Sequence, residues 1–574
     1  MRILIFHGYL LGGTGSNVYN ARLAAALVEL GHEVHLLAQE RHAEGFPFVD
    51  AVGGWEEGEL RVAPVRSFAG ERPRCTVYRP EIGCLLPVYV ADRYEGMRAK
   101  TFAECGEEEV GRYVAANVAA VREVMARAEP EIGLANHLVM GPAILARAAA
   151  GELRYAVKVH GSALEYTVKR DPDRFLGYAR EGLVGAETVL VGSGHTARSL
   201  WDALGDDGWL AGKTRLGAPG VDVKTFAPRA HARARAGIEN LKDHLQAKAA
   251  TADGDAGQKA AGQEAARDVA AGNEAARDEA AGESGARDGF ARDEGAAGRA
   301  LAELDLERDR LVGFVGKLIV SKGVDLLVAA WPLVLEQVPR GRLLMVGFGG
   351  YRRGLEGLIE ALSAGDLERA REIGVAGRAL EERPGEAHEG GGAGEEGGAG
   401  PAARERPLKH LLAFLDGLRG RERESYVAAA RGLGERVVLT GRLDHEELVD
   451  VLPACEALVV PSTFPESFGM VAVEGAACGA LPISAGHSGL AEVSRVLAGA
   501  VPEEVRPLLS FPVDDEMVRA MAARIVGWLR VEEELRQATR EGLVETVRER
   551  WSWEGVARTV IAAALGEGWT LSAP

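Results

Sequence analysis

Residues 461–474 read Pro-Ser-Thr-Phe-Pro-Glu-Ser-Phe-Gly-Met-Val-Ala-Val-Glu and follow the apolar run Ala-Leu-Val-Val at 457–460. The apolar run predicts a buried strand, and the residues after Gly469 predict a helix. Glu466 therefore lies in the loop before that helix, and Glu474 lies inside it. The first backbone N–H groups of a helix are unpaired, and the helix dipole favours an anion beside them. The segment thus predicts a diphosphate site flanked by two carboxylates, which accept hydrogen bonds from sugar hydroxyls.

Two glycine-rich segments elsewhere in the chain could meet the same anion. Residues 316–323 read Gly-Lys-Leu-Ile-Val-Ser-Lys-Gly and place Lys317 and Lys322 on one loop after a predicted strand. Both ammonium groups could balance the charge of a leaving diphosphate. Residues 12–17 read Gly-Gly-Thr-Gly-Ser-Asn after another predicted strand, and glycines let the backbone approach a ligand closely. This second segment meets the dinucleotide fingerprint G-x-G-x-x-G only in part, since Val18 takes the place of the third glycine.

A fourth motif is His160-Gly161, which follows the predicted strand at 156–159. Open α/β sheets collect ligand contacts at this end of their strands, although a single histidine there is as often structural. The other motifs also have structural alternatives. They could be a solvated glutamate at 466 with a helix-surface glutamate at 474, two exposed lysines at 317 and 322, and a plain tight turn at 12–15.

The arrangement of predicted strands divides the chain into two α/β units. The first series alternates strands with helices such as those predicted at 18–30 and 109–128, and its strands lie at 3–6, 34–38, 131–135, 156–159 and 189–192. The second series has strands at 311–315, 342–346, 436–440, 457–460, 481–484 and 509–513. Alternating strands and helices indicate parallel sheets with short crossovers. We predict domains at 1–225 and 309–550, followed by a final helical segment at 551–574.

Two segments have a composition that predicts disorder. Residues 248–299 consist almost entirely of Ala, Gly, Glu, Asp, Arg and Gln, with ten-residue repeats beginning at 261, 271 and 281. Ten residues do not make a whole number of helical turns, so no apolar stripe forms, and the segment can bury little. We predict a hinge and disordered insert at 230–308 and a second disordered insert at about 381–407. A tolerated surface insertion is the plainer interpretation of both, and a docking role is the alternative.

Composition narrows the class of protein. The chain has 574 residues and a net charge of −18, which disfavours nucleic acid and anionic membranes as bulk partners. Its five cysteines are scattered and contain no C-x-x-C pair, which indicates a reducing compartment. No apolar run approaches the ~20 residues of a membrane span. We therefore predict a cytoplasmic protein. Peripheral membrane contact and the oligomeric state are left open.

Taken together, the four motifs resemble glycosyltransferase family 4, a retaining family of the GT-B fold. The resemblance covers nearly the whole chain outside the two inserts. It includes Gly31-His32-Glu33-Val34, Gly220-Val221-Asp222 with Phe226, and Val346-Gly347-Phe348-Gly349. The E-x7-E pair in its Pro-Ser and Phe-Gly context is its most specific part. The resemblance implies two Rossmann-like domains facing each other across a cleft, with the segment at 551–574 packing back on the first domain.

The resemblance also implies roles for individual residues. Glu474 would bind the ribose of a nucleotide-sugar donor, and Glu466 and His160 would face the transferred sugar. The family usually has arginine where this chain has Lys317, and lysine keeps the charge but loses the bidentate fork. The implied catalytic residues are His160, Glu466, Lys317 and Lys322. The implied donor-binding residues are Gly12, Gly13, Gly15, Lys317, Lys322, Arg442, Leu443, Glu466, Phe468, Gly469, Met470, Val471 and Glu474.

The chemistry implied by the family is front-face displacement, in which the leaving diphosphate helps to remove the acceptor proton. Lysines and a helix N-terminus can stabilise that diphosphate, so we predict no essential metal and no cofactor. Three other functions are weighed against this one: a nucleotide-sugar epimerase, a nicotinamide-dependent oxidoreductase, and a non-catalytic sugar-binding or scaffold protein.

The acceptor, the donor base and the donor sugar are not determined by the sequence. A glycan, a lipid and a small polyol all remain candidate acceptors. By position in the first domain, the candidate acceptor residues are Asn17, Tyr19, Asn136 and His137.

Overall fold

The computed structural model describes residues 1–13, 15–68, 70, 72–89, 97–205, 208–267, 292–381 and 407–574, with residues 252–267 described by their backbone alone. Two sheets of predominantly parallel strands divide these residues into two α/β domains. The predicted α/β fold class with two Rossmann-like domains is therefore confirmed.

The first domain is built on a nine-stranded sheet. Its strands are β1 (Arg2–Phe6), β2 (Glu33–Leu37), β3 (Ala51–Glu56), β4 (Glu59–Pro64), β5 (Cys75–Arg79), β8 (Ile132–Asn136), β9 (Tyr155–Lys158), β10 (Thr188–Val191) and β11 (Thr214–Leu216). They are ordered β11-β10-β9-β8-β1-β2-β5-β3-β4, and all neighbours are parallel except β3 and β4. A separate pair contains β6 (Leu85–Val88) and β7 (Arg98–Thr101). The central strands are continuous apolar runs because helices bury both faces of a parallel sheet.

Helices cover the two faces of this sheet and form two separate apolar clusters. The helices are α1 (Gly15–Glu29), α2 (Glu107–Ala128), α3 (Gly141–Ala149), α4 (Gly161–Ala163), α5 (Pro172–Val184), α6 (Gly194–Leu204) and α7 (Trp209–Lys213). A 3-10 turn at Ala43–Gly45 and a π-helical turn at Leu164–Val168 complete the domain.

The outer strands β3, β4 and β5, the pair β6–β7 and the short β11 are additions to the predicted elements. The hairpin β3–β4 turns at Glu57 and Gly58, whose φ angles are +54° and +83°. Positive φ at both central residues is typical of the tight turn that joins two antiparallel strands. This hairpin lies at the sheet edge and is partly exposed, so it lacks the continuous apolar run by which the buried strands were predicted.

The second domain has a six-stranded sheet in which every neighbouring pair is parallel. Its strands are β12 (Arg310–Val315), β13 (Gly341–Val346), β14 (Val437–Gly441), β15 (Ala457–Val460), β16 (Leu481–Ala485) and β17 (Ser510–Phe511). They are ordered β14-β13-β12-β15-β16-β17.

The helices of the second domain are α8 (His231–Arg267), α9 (Glu294–Ala302), α10 (Val324–Gln337), α11 (Arg352–Ser363), α12 (Leu367–Ala376), α13 (Lys409–Gly417), α14 (Gly420–Ala430), α15 (Leu433–Arg436), α16 (Leu448–Val451), α17 (Met470–Ala477), α18 (Ser488–Ala498), α19 (Met517–Leu529) and α20 (Glu533–Arg550). Helices α8 and α9 precede the first strand of the second domain, and its other helices follow β12 or the later strands. Short 3-10 turns lie at Val320–Lys322, Gly377–Leu380, Leu452–Ala454 and Arg506–Leu509.

The prediction of a hinge and disordered insert at 230–308 does not hold for residues 231–251 and 292–308. Helices α8 and α9 pack against each other, and Ile238, Leu241, Leu245 and Leu301 are buried in the core of the second domain. Three of these residues are spaced at helical intervals and form an apolar stripe, which ends where the alanine- and glycine-rich composition begins. Residues 268–291 and the predicted insert at 382–406 lie outside the described residues.

The domains are joined by two chain crossings that lie side by side. The backbone N–H of Val221 donates to the Trp551 carbonyl at 2.7 Å. A Cβ at Gly220 would lie 2.7 Å from the Trp553 ring, so only glycine permits this close crossing. Beyond the crossing, helix α21 (Trp553–Ala564) contributes Val556 and Val560 to an apolar cluster of the first domain. A final 3-10 turn lies at Gly568–Thr570.

No helix within the described ranges is long and apolar enough to cross a lipid bilayer.

Candidate active site

The strongest convergence of predicted residues lies at the carboxyl ends of β12 and β15. These strands are neighbours in the second sheet, and β13 lies on the other side of β12, so the chain order reverses between them. Such a switch point leaves a crevice beyond the strand ends where open α/β sheets bind ligands. The 316–323 loop follows β12 and the 461–469 loop follows β15. The fold therefore brings together two motifs that are about 140 residues apart in sequence.

Glu466 and Lys322 meet in this crevice. The Lys322 ammonium donates to Glu466 Oε1, and the Ser462 hydroxyl donates to the same oxygen at 2.6 Å. Burial raises the pKa of the Glu466 carboxyl, but the Lys322 charge and the two hydrogen bonds outweigh it, so the pKa lies below its ordinary value. Glu466 is thus an ionised acceptor. Lys317 lies on the same loop as Lys322, and its side chain is exposed.

Helix α17 begins directly after the 461–469 loop. Its N-cap residue, Gly469, has a φ of +115°, and a Cβ at this position would lie 2.6 Å from Leu490. Glycine is therefore required for the turn into the helix. The Phe468 ring is buried against Trp551 at 5.6 Å between ring centroids. The Phe468 side chain thus serves the core, and only its backbone remains for a ligand.

The first domain closes against the start of α17. A Cβ placed on Gly15 would lie 4.0 Å from the Met470 sulfur, and one placed on Gly161 would lie 2.1 Å from the Ser467 hydroxyl. The two glycine positions belong to the loops that the sequence analysis singled out in the first domain. The predicted site residues from both domains therefore share one interdomain cleft.

Glu474 lies one turn further along α17 and is buried, with 3% of its surface exposed. Its carboxylate is 2.7 Å from His445 Nε2. Burial lowers the pKa of His445, but the hydrogen bond and the charge of Glu474 outweigh burial, so the net shift is upward. His445 was missed by the sequence analysis. The signal that could have found it is its position three residues after Arg442, in the loop that follows β14.

A cavity of about 650 Å³ opens beside this pair, between the two domains. The first domain lines it with Gly12, Gly13 and other residues, and the second domain lines it with Arg442, Leu443 and His445. The Arg442 guanidinium lies over the Phe348 ring, 5.2 Å from its centroid. The cavity thus has both apolar and charged walls, and His445, which pairs with Glu474, is one of its lining residues.

His160 lies at the end of β9, on the first-domain side of the cleft. Its Nε2 is 3.1 Å from Asn136 Oδ1, and its ring packs 4.9 Å from His137 and 5.2 Å from Tyr19 between ring centroids. Burial lowers the pKa of His160 well below its ordinary value, and the neighbouring His137, Lys158 and His7 add to this effect. His160 is therefore neutral at physiological pH.

The four candidate acceptor residues lie near His160 but are not open to an acceptor in this conformation. Asn17, Tyr19, Asn136 and His137 are each at most 2% exposed. The Asn17 amide nitrogen donates to the Gly12 carbonyl at 2.7 Å, and its amide oxygen is 3.0 Å from His7 Nε2. The Asn17 side chain therefore stabilises the glycine-rich loop and does not face the cleft. The prediction of direct acceptor contact is thus not supported at these positions. Position in the sequence could not show whether each side chain faces the cleft or the interior of the domain.

A larger cavity, of about 1070 Å³, lies beside the segment 228–231 and helix α20. None of the predicted site residues lines it. Several of its arginines are engaged in ion pairs, including Arg229 with Asp450 and Arg235 with Glu307. The size of this cavity alone therefore does not make it the active site.

Glu492 on α18 links the second domain to the first. Its carboxylate accepts the backbone N–H groups of Gly194 and His195, each at 2.8 Å, at the N-terminus of α6. N–H groups at a helix start have no partner within the helix, and the helix dipole is positive there, so both features favour a carboxylate at this position. The contact therefore bridges the two domains directly.

We expect the substitution Glu492→Ala to open the domains, because it removes two charge-assisted hydrogen bonds worth about 1.5–3 kcal/mol each. The radius of gyration from small-angle scattering should rise relative to wild type. Arg495→Ala, on an exposed position of the same helix, is the matched control and should leave it unchanged. Equal radii of gyration for Glu492→Ala and wild type would show that this contact does not keep the domains together.

Residues 409–503, which include the Glu466 and Glu474 segment, match the family model "Glycosyl transferases group 1". The matched residues lie within the second domain. The chain is also 27% identical over 265 residues to D-inositol 3-phosphate glycosyltransferase of Segniliparus rotundus. That match spans 46% of this chain and 42% of the relative, so the chain covers less than half of the relative's length.

Solved glycosyltransferase structures share the whole fold. Sucrose-phosphate synthase of Thermosynechococcus elongatus superposes with a TM-score of 0.51 at 18% identity, covering 99% of this chain and 98% of its own. Anabaena HepE in complex with UDP gives a TM-score of 0.51 at 14% identity, covering 99% of this chain and all of its own. The predicted GT-B architecture is confirmed.

Within the described residues, no three His, Cys, Asp or Glu side chains are grouped in a way that could hold a metal ion.

Proposed function

We propose that the protein is a retaining glycosyltransferase that transfers a sugar from a nucleoside-diphosphate sugar to a hydroxyl acceptor. The observation that carries this proposal is the convergence at the second-domain switch point. There the Lys322 ammonium, the Glu466 carboxylate and the start of α17 face the 12–15 loop and His160 across one cleft. A cation, a helix start and a sugar-facing carboxylate are the groups that such a donor requires.

The donor nucleotide would occupy the 650 Å³ cavity. Glu474, held beside His445, would accept hydrogen bonds from the ribose hydroxyls. The base would lie against Arg442 and Leu443, which line the same cavity. The solved complex of Anabaena HepE with UDP supports this class of ligand for the fold.

The diphosphate would lie at the N-terminus of α17, with Lys317 and Lys322 on one side and the backbone of Gly12, Gly13 and Gly15 on the other. Lys322 pairs with Glu466 in this structure, so its ammonium is already placed at the crevice. The positive helix start and the ammonium stabilise charge that grows on the diphosphate as the sugar leaves.

The transfer would proceed on one face of the sugar. The bond between the anomeric carbon and the diphosphate oxygen breaks, and the bond to the acceptor oxygen forms on the same face. The acceptor proton passes to the departing diphosphate oxygen. Glu466 is held in an ion pair and hydrogen-bonded to Ser462, which suits a role in positioning sugar hydroxyls rather than attack on carbon.

The acceptor class is proposed only as a hydroxyl of a glycan, a lipid or a small polyol. The name of the Segniliparus relative specifies an inositol phosphate acceptor, which is consistent with the small polyol. All five cysteines are free, which supports the proposal that the protein acts in the reducing cytoplasm.

We expect transfer to require no metal ion, because ammonium groups and a helix start can supply the positive charge at the diphosphate. Incubation with EDTA, followed by its removal, should leave the rate of transfer unchanged. The matched control is the same treatment followed by added Mg²⁺ or Mn²⁺. A complete loss that these ions restore would overturn the metal-independent mechanism.

A donor screen tests the proposed function directly. Thermal unfolding is measured with UDP-, GDP- and ADP-sugars, since a ligand at 100 times its dissociation constant adds about 2.7 kcal/mol of stability. One of these nucleotides should raise the midpoint, and NAD should not. Product analysis with that donor then separates the alternatives, because an epimerised donor sugar would indicate an epimerase. A shift with NAD alone would indicate an oxidoreductase.

A further inference from the structure

Behind the cleft, three neighbouring strands of the first sheet end in a buried polar cluster. Strands β1, β8 and β9 lie side by side, and their carboxyl ends carry His7, Asn136 with His137, and His160. Asn136, His137 and His7 are at most 2% exposed, whereas His160 is partly exposed. His160 is thus the member of this imidazole group that can reach a ligand.

The hydrogen bonds of Asn136 determine how its amide is oriented. Its Nδ2 donates to the Phe6 carbonyl at 3.3 Å, and a carbonyl can only accept. The Oδ1 atom of Asn136 therefore faces His160, at 3.1 Å from Nε2. An amide oxygen also can only accept, so Nε2 of His160 must carry the hydrogen.

This constraint leaves the other ring nitrogen of His160 with a defined role. In a neutral imidazole that carries its hydrogen on Nε2, Nδ1 is an acceptor. Burial and the nearby Lys158, His137 and His7 keep the ring neutral. The rings of Tyr19 and His137 pack against His160 and hold its plane. Gly161, the next residue, lies against Ser467 of the 461–469 loop, so the histidine is at the cleft surface.

We propose that Asn136 is a positioning residue that fixes His160 as the Nε2–H tautomer, so that Nδ1 accepts a hydrogen bond from a hydroxyl of the transferred sugar. This inference rests on the proposed function. It goes beyond that function in two ways. It assigns Nε2 of His160 as a donor and Nδ1 as an acceptor, and it gives a role to Asn136, which touches no substrate. It also replaces the predicted acceptor contact of Asn136.

The tautomer can be measured without any substrate. The full chain is labelled with ¹⁵N in its imidazole rings, and the His160 signals are identified by their loss in His160→Gln. We expect a protonated Nε2 and an unprotonated Nδ1 at neutral pH. A protonated Nδ1 would overturn the inference whatever the donor screen shows. The Nε2–H tautomer in a wild-type protein that transfers no sugar would count instead against the proposed function.

Kinetics of variants test whether Asn136 acts through His160. Asn136→Leu should lower kcat roughly tenfold, the effect of one lost hydrogen bond, with little change in the donor KM. The double variant with His160→Gln should be no slower than His160→Gln alone. The matched control is Asn117→Leu, because Asn117 is equally buried and donates to a backbone carbonyl on α2. An additive double variant, or the same kcat loss in Asn117→Leu, would show a structural role. If Asn136→Leu does not fold, the wild-type tautomer decides the question.

Discussion

Turnover is expected to fall by about 10²–10³ when Lys322 is replaced by alanine, the effect of removing one group that stabilises developing charge. The charge on the diphosphate grows as the bond to the sugar breaks, so an ammonium beside it stabilises the transition state more than the bound donor. Lys322 is held at the crevice by Glu466, and its loss leaves that carboxylate without its cation. The dissociation constant of the donor should change less than kcat does.

The measurement is kcat and donor KM at saturating acceptor, with Lys322→Arg as the conservative variant. Arginine keeps the charge and should retain more activity than alanine. Lys409→Ala, at an exposed position at the start of α13, is the matched control for loss of a lysine charge. Turnover of Lys322→Ala within a factor of two of wild type would exclude the assigned role.

Donor binding is expected to weaken roughly 10- to 150-fold in Glu474→Ala, because hydrogen bonds to a charged group are worth about 1.5–3 kcal/mol. The ribose hydroxyls contribute equally before and during sugar transfer, so KM should rise with much less change in kcat. Calorimetric titration with the donor nucleotide measures this effect without a reaction. An unchanged affinity would contradict the ribose-binding role.

Two controls separate donor binding from local folding in this experiment. Glu549→Ala removes an exposed glutamate from α20 and should leave affinity unchanged. His445→Ala and the double variant with Glu474→Ala form a cycle that measures how far the two side chains act together.

Because the pKa of His445 is raised, the stabilisation from its ion pair is complete below the ordinary pKa of histidine. It is lost as the pH rises through the raised pKa.

The residues that were easiest to predict are those whose role follows from local sequence. The strands β1, β12 and β15 are continuous apolar runs, and each is followed by a motif that the structure places at a strand end. The turn into α17 requires glycine at 469 for steric reasons. Lys322 and Glu466 belonged to separate motifs, and the parallel order of β12 and β15 brings their loops to one edge.

Long-range packing accounts for the residues that were missed or misassigned. The segment 231–251 is an ordered helix because its apolar stripe is covered by α9 and the second-domain core, and these partners are distant in sequence. Asn17 lies in the first turn of α1 and Asn136 is the last residue of β8, positions where ligand-binding residues often occur. Their amides nevertheless bond to Gly12, Phe6 and the histidines.

The sequence by itself therefore determined the α/β class, the two-domain organisation and the motifs at the strand ends, because apolar runs and glycine-dependent turns act over a few residues. Only the tertiary structure decided that His445 pairs with Glu474, that Glu492 bonds to the start of α6 and that Asn136 lies against His160. Each of these contacts joins residues from different elements, at 2.7–3.1 Å. A hydrogen bond depends on direction and distance to within tenths of an ångström, and that geometry exists only once both sheets and their loops are packed.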